Sequence, residues 1–108
     1  MALDLNNLFI QLKTAVVNLA KEKFKDLVAE ASSDGTSLLH ILQDDIKKYS
    51  QELESNQITP DQFKILLLGD EDLVKMSALT EAGLAAAAAD AFKKEVFDII
   101  VNTVLAVI

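Results

Sequence analysis

His40 is the chain's single histidine, and Asp44 follows it by four residues. On a helix that spacing sets a carboxylate one turn from an imidazole, the arrangement that orients a catalytic base. The flanking Leu39 and Ile41 point instead to a histidine at the edge of a core with its hydrogen bond satisfied. No Glu-x-x-His pair occurs, so the usual di-iron site of a helical bundle is absent. Ser32, Ser33, Ser37, Ser50, Ser55 and Ser77 belong to no recognisable nucleophile motif. Tyr49 falls on an apolar helix face, where a hydroxyl at the core edge is the plain expectation.

Asp70, Glu71 and Asp72 could suggest calcium, but three consecutive acids point in different directions and the spaced ligand loop is missing. Negative charge at the start of a helix accounts for them better. Ser32-Ser33-Asp34-Gly35-Thr36-Ser37 has the small, polar look of a phosphate loop, yet it holds no lysine and no second glycine. It reads as a turn that caps helices. With no cysteine there are no disulfides and no thiolate metal sites. Arginine and tryptophan are also absent, which removes common phosphate-binding and interface anchors. The expectation is a protein that is not an enzyme, with no cofactor and no metal.

The elements that would position these groups are helices. The chain has 108 residues, enough for one domain over 1–108. Three glycines, one proline and abundant Ala, Leu and Lys indicate an all-α class. A first helix is expected from Asp4, its N-cap, to Ala31, on the stripe Leu5, Leu8, Phe9, Leu12, Val16, Leu19, Ala20, Phe24, Leu27, Val28, Ala31. A second is expected from Thr36 to Glu54, with Leu38, Leu39, Leu42, Ile46, Tyr49 and Leu53 facing inward. Thr59-Pro60-Asp61-Gln62 spells a capping box with proline at the first helical position. The helix it opens carries Phe63, Ile65, Leu66, Leu67 and Leu68 and should stop at Gly69.

The stretch from Asp70 to Ile108 reads as one long helix. Its stripe runs Ala78, Ala82, Ala85, Ala89, Phe92, Val96, Ile99, Thr103, Ala106, and it stays in phase across Gly83. A rival places a break at Thr80, as an N-cap with Leu79 and Leu84 forming a hydrophobic staple. The continuous helix would be about 58 Å long, which implies an elongated molecule. On that basis Gly83→Ala should stabilise the fold by roughly 0.5–1 kcal/mol. The expected architecture is an antiparallel helical bundle of about four helices with a long C-terminal helix.

Phe97, Val101, Val104 and Ile108 form a second stripe, opposite the first. A chain this short is too small to cover both stripes of so long a helix, so these four residues are the expected interface of a homodimer or of another protein partner. The net charge of -7 argues against nucleic acid. Residues 1–31 balance four lysines against four acids, while 32–69 carry three against six and 70–108 three against seven. The first helix is therefore the least repulsive surface for an acidic partner. No basic leader opens the chain, and no apolar run is long enough to span a bilayer. A cytoplasmic protein is the default expectation. Two other classes stay open: a membrane-surface-active protein with a masked apolar face, and a bundle whose cavity binds a small ligand, although no small molecule is evident from the residues.

Overall fold

Asp4 opens the first helix as its spacing requires, its Oδ1 accepting the Asn7 N–H at 3.1 Å. The computed structural model describes residues 4–108. Among these residues six α-helices follow one another: α1 Leu5–Lys23, α2 Val28–Ile41, α3 Gln43–Glu54, α4 Pro60–Leu68, α5 Ser77–Glu81 and α6 Ala86–Val107, with a 3-10 turn at Glu71–Leu73. Among the described residues there is no strand. The molecule is an all-α bundle measuring 43 × 24 × 18 Å. α6 packs against α1, α4 and α5, while α2 packs against α1, α3 and α5.

α1 buries Leu8, Leu12, Val16, Leu19 and Ala20, the face expected from their spacing, but it ends at Lys23 rather than Ala31. Phe24 turns extended (φ -128°, ψ 124°) and meets Phe92 of α6 edge-on, with ring centroids 5.3 Å apart. An edge-to-face pair is worth about 0.5–1.5 kcal/mol beyond its buried area. The break spans residues 24–27, close to one helical turn, so the apolar phase carries across it unchanged.

The Ser32–Ser37 segment, expected as a turn, lies inside α2. Within it Asp34 and Gly35 are buried. A Cβ on Gly35 would meet the Cγ1 of Val16, so α1 and α2 cross here with no room for one. Thr36 keeps its hydroxyl occupied by donating to the Ser32 carbonyl at 2.8 Å. The expected second helix is the end of α2 plus α3, bent at Leu42 (φ -92°, ψ 3°). α3 closes at Asn56, which takes φ +61°, a backbone region asparagine tolerates better than most residues.

The capping box at α4 forms as read: Gln62 N–H donates to Thr59 Oγ1 at 3.1 Å, and Thr59 N–H donates to Gln62 Oε1 at 2.8 Å. α4 buries Phe63 and Leu67. It does stop before Gly69, but that residue stays right-handed (φ -61°), so the chain winds on into the 3-10 turn instead of reversing.

The continuous helix from Asp70 to Ile108 is not formed. The chain is extended at Val74, and it breaks again between α5 and α6. The break is not the one expected at Thr80 either. Thr80 lies within α5, its hydroxyl directed at the Met76 and Ser77 carbonyls, each 3.1 Å away. The stop is Gly83, at φ +100°. Leu84 N–H donates to the Leu79 carbonyl at 3.0 Å and Gly83 N–H to the Thr80 carbonyl at 3.1 Å. That pair of bonds is a Schellman motif, which satisfies the last carbonyls of a helix and places glycine in the left-handed position.

The expectation for Gly83 therefore reverses. A Cβ there meets nothing within 4 Å, so alanine would pay for the left-handed backbone alone. Gly83→Ala should destabilise the fold by about 1–2 kcal/mol. A lower urea midpoint with an unchanged slope would show it, and a higher midpoint would contradict the motif.

α6 buries Ala89, Phe92, Val96, Phe97, Ile100, Val101 and Val104. Phe97, Val101 and Val104 are 0%, 5% and 0% exposed within the single chain, and of the second stripe only Ile108 (47%) reaches the surface. The cover expected from a second copy is supplied by the chain's own helices. Breaking the long helix makes this possible, because a 22-residue α6 is short enough for α1, α4 and α5 to flank it. Of the five alanines from Ala85 to Ala89, only Ala89 is buried.

Candidate functional site

The residues singled out for catalysis are not assembled. His40 lies in the last turn of α2 and Asp44 in the first turn of α3, both exposed, and among the described residues no hydrogen bond joins them. Asp70, Glu71 and Asp72 diverge. The Asp70 side chain turns to Asp45 of α3, the Glu71 carbonyl accepts from Lys93, and Asp72 is exposed. Among the described residues no group of three or more His, Cys, Asp or Glu side chains could hold a metal.

Two buried charges that sequence patterning does not mark hold the C-terminal half in place. Asp34, 6% exposed on α2, accepts Ala78 N–H at 3.0 Å and Leu79 N–H at 2.8 Å, one on each carboxylate oxygen. α5 has no cap of its own, since Met76 offers no side-chain acceptor. Its free N–H groups are satisfied from another helix, and its dipole faces a carboxylate. Lys93, 9% exposed on α6, donates to the carbonyls of Glu71 and Val74, each 3.3 Å away, and lies 3.6 Å from Asp90. It ties the 3-10 turn to α6.

Asp45 and Asp70 face each other between α3 and the end of α4. Burial, then the hydrogen bond to Asp45 and its charge, push the Asp70 carboxyl up to about 6. Tyr49, half-buried beside them, is also raised, first by burial and then by Asp45, Asp70 and Glu52. Asp70 Oδ2 is buried without a protein partner. A carboxyl whose pKa rises on folding stabilises the fold when protonated, and that contribution is lost as pH climbs through the folded value. Stability from this pair should thus be present below the ordinary carboxylate range, about pH 4, and lost above pH 6. Asp70→Asn should raise the melting temperature at pH 8 and change it little at pH 4. An equal effect at both pH values would show that the Asp70 carboxyl is not raised on folding.

One groove runs between α1 and the C-terminal helix. Ile10, Gln11, Thr14, Ala15, Asn18 and Thr103 line it, enclosing about 380 Å³. Ile10 is 65% exposed at its mouth, and Thr103 is half-buried. None of the six carries a charge, on a chain where acids outnumber lysines seventeen to ten. No helix among the described residues is long and apolar enough to cross a membrane.

These features define a helical bundle held by internal caps, with shallow surface grooves. Comparison with protein-family models, curated proteins and solved structures finds no match to this chain.

Proposed function

We propose that this chain is a non-enzymatic helical interaction module that pairs with a second copy of itself through the α1–α6 groove. The uncharged lining carries the proposal. Two copies with a net charge of -7 repel wherever their acidic faces meet, and the groove offers a contact with no like charges opposed. Ile10 supplies an exposed apolar side chain to bury, and the small residues Ala15 and Thr103 allow close approach. A standard interface takes roughly 800 Å² from each partner, about an eighth of the chain's 6329 Å². Two-fold pairing is the commonest closed assembly. The C-terminal helix thus still contributes to the surface, but through Thr103 rather than Phe97, Val101 and Val104.

Light scattering across the micromolar range tests this. The expected mass rises with concentration from 11.8 kDa toward twice that value. Ile10→Lys should hold the chain at the monomer mass with an unchanged melting temperature, because the side chain is exposed in the monomer. A wild-type chain that stays monomeric at high micromolar concentration, or an Ile10→Lys variant that still pairs, overturns the proposal.

A further inference from the structure

A second groove lies where α1, α2 and the start of α3 converge. Phe9 and Leu39 form its floor, and Lys13, Thr36, His40 and Gln43 stand around it. Helical spacing puts them there: Phe9 and Lys13 are one turn apart on α1, while Thr36, His40 and Gln43 follow one another along α2 into α3. Leu39 is 6% exposed and Phe9 half-buried, so the floor is firm and apolar. Thr36 has spent its hydroxyl proton on the Ser32 carbonyl and can no longer donate. The remaining donors are the Lys13 ammonium, the His40 imidazole and the Gln43 amide. Among the described residues none of these three side chains makes a hydrogen bond or ion pair, and no carboxylate lines the groove. On a chain of this acidity, a pocket edged by a lysine and a histidine without an acid is the place where an anion meets least repulsion.

We propose that this groove binds a small monocarboxylic acid with a compact apolar body. The apolar part lies on Phe9 and Leu39, and the carboxylate faces Lys13, His40 and Gln43. The floor selects against bare inorganic anions, which gain nothing from apolar contact. The single lysine matches one negative charge and leaves a multiply charged phosphate under-compensated. The volume, about 220 Å³, falls below the roughly 300–1,000 Å³ of pockets for drug-sized ligands, which limits the ligand to fragment size. The groove is distinct from the α1–α6 groove, and the two proposals stand or fall separately.

The test is an amide-correlation NMR titration of the full chain with phenylacetate, 2-phenylethanol and inorganic phosphate in parallel. Phenylacetate should give saturable shifts confined to residues 9–13 and 36–43. The alcohol, which keeps the ring and loses the charge, should bind about tenfold more weakly, and phosphate should give no saturable shift there. Lys13→Gln should weaken phenylacetate by a similar factor without moving the melting temperature, since Lys13 is exposed. The proposal is overturned if phenylacetate shows no saturation by about 10 mM, an affinity too weak to count as a site. Equal binding of the alcohol would reduce the groove to apolar adhesion, and equal binding of phosphate would make it a general anion contact; either result also overturns it.

Discussion

Asp34→Ala is expected to cost about 3 kcal/mol, the scale of losing a buried charged acceptor that holds two N–H groups. The carboxylate grips Ala78 N–H and Leu79 N–H, and α5 has no other cap. With alanine in its place, the methyl can reach neither donor, and the Leu79 contact is fully buried. A helix of five residues cannot hold its first turn alone, because nucleation is unfavourable at this length. The damage should therefore reach the α5 side chain that α2 covers, Leu79, which is 0% exposed. Asp34→Asn should cost less, since the amide keeps one acceptor oxygen. Urea denaturation of both variants, with hydrogen exchange at residues 77–82, checks this. A neutral alanine variant would mean that α5 is held by apolar contact and the carboxylate is dispensable.

Gly35→Ala carries the second large effect. A Cβ would fall well inside contact distance of Val16 Cγ1. Val16 is fully buried, and a helical valine strongly prefers a single rotamer, so it cannot swing aside cheaply. Either it leaves that rotamer or α1 and α2 move apart. Overpacking of this kind costs about 1–3 kcal/mol, and the helix propensity gained on replacing glycine returns up to about 1 kcal/mol. The residual loss should be specific to the pair. Val16→Ala alone should destabilise by opening a cavity, and the double variant should lose less than the sum of the singles, because each change relieves the other. Strict additivity in that cycle would place the two helices further apart than the structure does.

The pair also shows why glycine is ambiguous on paper. Gly35 and Gly83 both sit in polar or small-residue surroundings in the sequence, and the expectation put a turn at the first and a helix through the second. The structure has them the other way round. Gly35 is helical because a neighbouring helix needs its missing side chain, and Gly83 is the stop because its left-handed backbone completes a Schellman motif. Gly83 had a local signature, Leu79 and Leu84 at the positions whose contact accompanies that motif. The same pair also fits a staple around Thr80, which points to a break at Thr80 rather than at Gly83. Gly35 had no signature, since nothing near it in sequence mentions Val16.

What the sequence determines by itself is what depends on neighbours within a turn or two. The all-α class, the Asp4 cap, the capping box from Thr59 to Gln62, and the inner face of α1 all follow from spacing and local hydrogen bonding, whereas the apolar run of α4 leaves its face open and only Phe63 and Leu67 are buried. Tertiary structure decides where a periodic stretch is cut and which face is covered. Residues 24–27 and 82–85 each break a helix over four residues, so the apolar repeat survives while the direction changes. At Phe24, where the chain turns, the ring meets Phe92 of α6, a contact that no local pattern announces. Once α6 is short, α4 can reach it, and Phe97, Val101 and Val104 become core instead of surface. Asp34 has the chemistry of a helix cap in either setting, but the helix it caps begins more than forty residues away. Local sequence can specify an acceptor; only the packed chain brings it the N–H groups it accepts.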